Sequence, residues 1–100
     1  MLHTVNKSPF ERTNLQSCLR LAGEGDAILL FEDAVYAAVR ETAVANSMNE
    51  AKIAYKVYVM GPDLDARGIS RDNVIEGIDV VEYDGFVDLV VEHETSQAWL

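Results

Sequence analysis

Short apolar runs alternate with amphipathic stretches along the chain, and their spacing sets the first expectations. Residues 1–5 (Met-Leu-His-Thr-Val) are short and β-prone, and Asn6-Lys7 leads from them into a helix-start pattern. Ser8 stands as N-cap, Pro9 occupies a first helical position where its missing N–H costs nothing, and Glu11 completes a capping box. At about 100° per residue, Phe10, Leu15, Cys18, Leu19, Leu21 and Ala22 share one apolar arc. The spacing predicts a helix over residues 9–22, closed by Gly23 and Gly25.

The alternation continues. Residues 27–31 (Ala-Ile-Leu-Leu-Phe) form an unbroken apolar run, the mark of a parallel strand covered on both faces. Asp33 can cap a second helix through Ala34, Val35, Tyr36, Ala37, Ala38 and Val39, fading before Asn46. Residues 45–51 show no clean period and are consistent with helix or loop. A strand is expected over 53–60, with Ile53, Tyr55, Val57 and Val59 on one face and Gly61-Pro62 as its stop. A short helix from Pro62 or Asp63 ends at Gly68, residues 69–77 are a polar connection, and 78–82 form a fourth strand. Asp84 caps a last helix whose buried side is expected to be Phe86, Val87, Val90 and Val91. The tail from Ser96 to Leu100 carries the only tryptophan, Trp99, on a potential edge strand.

Strands alternating with helices at these lengths define a single α/β domain over residues 1–100, of small flavodoxin-like type, with a mostly parallel sheet and helices on both faces. No repeat, linker or low-complexity segment interrupts it.

Charge changes the picture only in its distribution. The net charge is -9, but all 8 Lys and Arg lie within residues 1–71, where they nearly balance the acids. Residues 72–100 carry Asp72, Glu76, Asp79, Glu82, Asp84, Asp88, Glu92 and Glu94 with no Lys or Arg. Such a surface repels phosphate backbones, which argues against direct nucleic-acid binding and suits a basic protein partner or plain solvation. No apolar run approaches a membrane span of roughly 20 residues, and no basic region precedes an apolar signal core, so a cytoplasmic location is expected.

Several chemistries lack their residues. One cysteine and two distant histidines give no metal-ligand spacing, no internal disulfide and no C-x-x-C redox pair. Gly23-Glu24-Gly25-Asp26 follows a helix and precedes a strand, the reverse of a phosphate-cradling loop, so no nucleotide cofactor is expected. A phosphoacceptor arrangement fails because the third strand ends Met60-Gly61, not in an acid. Asp63 and Asp65 project in different directions on a helix and serve as cap and dipole partners, not as a carboxylate dyad. His93 suits a helix C-terminus, and Trp99 reads equally as a plug over the sheet edge or as an interface anchor.

Cys18 is the only thiol in the chain. By default a free cysteine in an apolar stripe is a small buried hydrophobe. Its third-turn position is remote from the helix N-terminus that would favour a thiolate, and Glu11 precedes it on the same helix line. Any activation has to come from tertiary or partner contacts.

Leu2-His3-Thr4-Val5-Asn6-Lys7-Ser8-Pro9-Phe10, Ile28-Leu29-Leu30-Phe31-Glu32-Asp33, Lys56-Val57-Tyr58-Val59-Met60 with Asp63-Leu64-Asp65-Ala66-Arg67-Gly68, Asp84-Gly85-Phe86-Val87-Asp88-Leu89 and Gln97-Ala98-Trp99 together resemble the DsrH/TusB family. The resemblance spans the chain in order. It implies a subunit of a cytoplasmic sulfur-relay heterohexamer, with two copies each of this subunit and of its DsrE/TusD-like and DsrF/TusC-like partners. Small sulfur-carrier proteins would feed it. The resemblance also implies that sulfur travels as a cysteine persulfide and that the principal acceptor cysteine lies on the DsrE/TusD-like partner.

Members from sulfur-oxidising bacteria carry a first-helix cysteine where Cys18 stands, whereas members serving tRNA wobble-uridine thiolation can lack it. The resemblance therefore favours dissimilatory sulfur oxidation with Cys18 as a candidate persulfide acceptor. The alternatives are a TusB-type role in tRNA thiolation, or a scaffold subunit in which Cys18 fills the core.

Overall fold

The computed structural model describes residues Met1–Leu100. Five strands, β1 (Leu2–Val5), β2 (Ala27–Leu30), β3 (Lys56–Met60), β4 (Asp79–Val81) and β5 (Ser96–Trp99), form one parallel sheet in the order β4-β3-β2-β1-β5. The helices are α1 (Asn14–Leu21), α2 (Ala45–Ala54), α3 (Gly61–Ala66) and α4 (Tyr83–Glu92), with 3-10 turns at Glu32–Ala38 and Arg71–Asn73. The expected α/β class with a parallel sheet and helices on both faces is observed.

Handedness dictates which face each helix covers. From β1 to β4 the chain steps always to the neighbouring strand in one direction, so right-handed crossovers place α1, α2, α3 and both 3-10 turns on one face. That face buries the main core, including Val5, Leu15, Cys18, Ile28, Leu30, Met48, Val57, Val59 and Leu64. The last crossover runs back across the whole sheet from β4 to β5, so α4 lies alone on the opposite face. There only Leu2, Ala27, Leu29, Met60 and Leu89 are buried.

Several boundaries differ from expectation. Ser8 does not cap a helix: its carbonyl accepts from the Glu11 and Arg12 amides at 3.2 and 3.0 Å, and its Oγ from the Phe10 amide at 3.2 Å. A closed turn results, and α1 begins only at Asn14. Burial of Leu15 and Cys18, three residues apart, fixes the helix, whereas Phe10 is exposed. Gly23 and Gly25 form a turn in which Gly25 takes φ +86°.

The helix expected from Asp33 is a 3-10 segment, and the α-helix forms later, over the undecided stretch. Only Met48 and Ala51 of α2 are buried, too few to give a readable period. The third strand starts at Lys56 because residues 53 and 54 close α2, leaving Ile53 fully on the surface. On α4, Leu89 is buried and Phe86 packs beside it, while Val87, Val90 and Val91 face solvent. Asp84, Asp88 and Glu92 confine the polar side to a narrow strip, so the apolar arc is wider than one contact with the sheet can cover.

The loops leaving β3 and β4 diverge to opposite faces, which makes their C-terminal ends the switch point where open parallel sheets take ligands. Here the chain's own side chains fill it. Arg71 bonds Glu82 at 3.0 and 3.1 Å and Asp65 at 2.9 and 3.3 Å, lying directly over Gly61. A Cβ on Gly61 would meet Arg71 Nη2 at 2.6 Å and Glu82 Oε2 closer still. Gly61→Ala is therefore expected to displace the guanidinium. Because the ion pairs are exposed, the loss is small, and Arg71→Ala should cost nothing further in that background. A double-mutant cycle by chemical denaturation checks this; fully additive effects would contradict the geometry.

Candidate functional site

Cys18 sits in the middle of α1 on its buried side, with 0% of its surface exposed. Leu15 and Cys18 are the helix's core residues, and β1 lies directly beneath them. The groove between α1 and α2 is walled by Gln16, Leu19, Arg20, Ser47, Ala51 and Tyr55, and Cys18 is not among its walls. Burial pushes the thiol up to about 12, and the negative charge of Asp26 adds to the shift. At neutral pH the thiolate is then a fraction on the order of one in 10⁴ to 10⁵, well below that of an ordinary free cysteine.

A buried polar network joins both edges of β1. His3 is 3% exposed and lies between Asp26 and Trp99. The indole N–H can only donate, and it does so to His3 Nδ1 at 3.1 Å. Nδ1 is thereby unprotonated, and Nε2–H donates to Asp26 Oδ2 at 2.8 Å. Asp26 also accepts from the Gly23 amide at 2.9 Å and from the Met1 ammonium at 3.0 Å. The Gly23 amide, then His3 and the ammonium, hold the Asp26 carboxyl well below the usual carboxylate range. Trp99 is half-buried against the main core with its one donor spent on His3.

The C-terminal ends of β1, β2 and β3 carry a second polar cluster. Glu32 follows β2 with φ +48°, and its amide donates to Asp63 Oδ2 at 2.9 Å. Asn6 Nδ2 donates to Glu32 Oε1 at 3.4 Å, while Asn6 Oδ1 is buried without a partner. Arg67 pairs with Asp33 at 2.9 Å. Asp63 thus ties a neighbouring loop, and Asp65 is committed to Arg71, which holds its carboxyl low. His93 ends α4 with Nδ1–H donated to the Leu89 carbonyl at 2.9 Å.

Beside this cluster, on the α4 face, Thr4, Leu29, Phe31, Met60, Tyr83 and Phe86, with Asp63 at one wall, line a pocket of about 210 Å³. Neither the His3 network nor this pocket is announced by a sequence motif. The rule that open parallel sheets bind at strand C-termini points to the pocket's location, but its walls come from β1, β2, β3, α3 and α4. No group of histidine, cysteine and acidic side chains is arranged to hold a metal ion, and no helix is long and apolar enough to cross a membrane.

The fold places the chain among small parallel α/β proteins of one architecture. It is similar to the ychN protein of Escherichia coli, with a TM-score of 0.79 and 23% identity, covering 97% of each chain. It is also similar to MTH1491 of Methanobacterium thermoautotrophicum, with a TM-score of 0.75 and 18% identity, covering 97% of this chain and 95% of that one. These likenesses establish the architecture alone.

Sequence comparison defines the family. The profile described as DsrH like protein matches residues 7–96. Protein TusB of Escherichia coli (strain K12) is 40% identical over 99 residues, spanning 99% of this chain and 100% of that protein. Protein TusB of Enterobacter sp. (strain 638) is 38% identical over the same share of each chain. The chain belongs to the DsrH family, as its resemblance to DsrH/TusB proteins had indicated.

Two outcomes follow from the buried groups. Cys18 should resist maleimide in the native protein and react fully in denaturant, read by intact mass; rapid native labelling would show that the thiol is reachable. Asp26 is stabilised as the carboxylate in the fold, so its contribution is present above the unfolded value of about 3.9 and is lost as pH falls towards the folded one. Asp26→Asn should lower stability at pH 7 by about 1.5–3 kcal/mol. It should also flatten the fall in stability below about pH 4 that denaturation curves of the parent show.

Proposed function

We propose that this chain is the TusB-type subunit of a sulfur-relay assembly serving tRNA wobble-uridine thiolation, and that it contributes structure to the assembly while a partner subunit carries the sulfur. The pathway is supported by the full-length identity of about 40% to TusB proteins. It displaces the sulfur-oxidation reading, whose support on this chain is the presence of Cys18.

The observation that carries the structural role is the placement of that thiol. Sulfur transfer between cysteines requires a thiolate to attack the outer sulfur of a persulfide, forming a new S–S bond while the donor leaves as its own thiolate. Cys18 is fully enclosed and its thiol is pushed up to about 12, so both access and ionisation oppose it. The acceptor chemistry then falls to the TusD-like subunit, and the TusC-like subunit completes the complex. Two copies of each subunit, loading by a small sulfur-carrier protein and a cytoplasmic setting belong to the same reading.

The test is intact-mass analysis of the co-expressed complex after exposure to a persulfide-loaded carrier without reductant. The expected result is a dithiothreitol-reversible gain of one sulfur on the TusD-like subunit and an unmodified mass for this chain. A gain on this chain that disappears in Cys18→Ala would assign Cys18 as a relay station and overturn the structural role. In a host lacking its own TusB, the wild-type chain and Cys18→Ala should restore wobble-uridine thiolation equally. Failure of both, with the complex assembled, would remove the tRNA pathway.

A further inference from the structure

The outward side of α4 is apolar where a solvated helix would be polar. Tyr83, Val87, Val90 and Val91 are 66%, 55%, 45% and 80% exposed. Their spacing is that of one helix face, read as positions i, i+4, i+7 and i+8, the pattern by which a helix enters an apolar groove. The helix already covers the sheet through Phe86 and Leu89, so the outer stripe has no use within the chain. Tyr83 belongs to both features: it opens the stripe and forms one wall of the pocket of about 210 Å³ over Leu29, Phe31 and Met60. Stripe and pocket are one continuous surface.

Size and charge select the occupant. Sites for small molecules run to roughly 300–1,000 Å³, and this pocket falls below that range while matching a single aliphatic or aromatic side chain. An apolar anchor seated in a pocket and ringed by weaker contacts is how protein interfaces concentrate their energy. Along one flank of the stripe run Asp84, Asp88 and Glu92, within a segment from residue 72 onward that has no Lys or Arg. A second copy of the chain would bring two such acidic rows together, which opposes self-docking.

We propose that the outer stripe of α4, with the pocket beneath Tyr83, docks a partner protein subunit that inserts one apolar side chain into the pocket and sets Lys or Arg against the acidic row. The proposal rests on the assembly reading given above and assigns it a surface. It also gives a role to Asp84, Asp88 and Glu92, which form no ion pair within the chain, whereas Glu82 is already paired with Arg71.

The test is co-purification of this chain with its tagged TusC-like and TusD-like partners, comparing wild type, Val87→Asp with Val91→Asp, and Asp84→Lys with Asp88→Lys. All four positions are exposed, and an unchanged melting temperature and circular dichroism spectrum for each variant chain verifies that its fold is retained. Each pair of substitutions should weaken association at least tenfold, and wild-type association should fall as salt rises. A third variant, Thr4→Leu, fills the pocket from the sheet side and should weaken association with the stripe intact.

Association of the folded Val87→Asp/Val91→Asp chain at wild-type strength overturns the docking surface and leaves the assembly reading standing. A wild-type chain that elutes without either partner overturns both. Self-association of the wild-type chain alone, abolished by the same pair, assigns the stripe to a second copy and overturns the basic partner.

Discussion

The right-handed crossover is the constraint from which the rest of the molecule follows. Once β1 to β4 step in one direction, three connections accumulate on one face, and that face becomes the thick, dry side with Cys18 in it. The single return crossover has the other face to itself. One helix of ten residues cannot cover five strands, so α4 is packed on one side and bare on the other. The topology thus encloses the thiol and leaves one side of α4 facing out. That this outer side is apolar is a separate feature of the sequence.

The same return crossover creates a problem at the β5 edge, where the strand is added last and has a neighbour on one side only. β5 pairs in parallel with β1, Val5 opposite Trp99, and most of its residues are exposed. Backbone pairing alone is a weak hold on such a strand. The chain of donors from Trp99 through His3 to Asp26 adds side-chain fastening. It reaches through β1 to the turn before β2 and to the chain's own ammonium. Because His3 is buried, loss of either neighbour would leave a polar ring atom without a partner, at a cost of about 1–3 kcal/mol. The edge is held by a group that cannot easily let go.

The elements that were legible in the sequence are those whose burial is complete or whose turn chemistry is local. Residues 27–30 sit enclosed on both faces, as their unbroken apolar run required, and Gly61-Pro62 ends β3 where expected. What stayed hidden depends on contacts distant in the chain. α2 has only Met48 and Ala51 facing inward, so its period is absent from the sequence although the helix is regular. The Ser8 pattern satisfies a capping box on paper, yet nothing apolar at Phe10 meets the core, and a local turn wins. On α4 the periodicity was read correctly but the choice of side was not, since Val87, Val90 and Val91 lie on an arc that the sheet does not reach. His3 showed only as a residue in a strand, because its partners stand 23 and 96 positions away. The DsrH resemblance was legible because it draws on the order of many short pieces, none of which needs its neighbours in space.

A domain of this size buries a modest share of its surface, and apolar side chains left outside are a standing cost to solubility unless something covers them. Here the exposed apolar side chains on α4 are concentrated on one face, next to a pocket and an acidic row. That ordering argues against incidental exposure, which would scatter. It also separates the molecule's two apolar investments by purpose. The inner face encloses the chain's one thiol, which is the observation behind the structural role proposed for it. The outer face keeps its apolar surface available at the single helix that the fold leaves half used. The chain's stability is then coupled by mass action to whatever covers α4, since a partner that binds only the folded chain adds its binding energy to the fold.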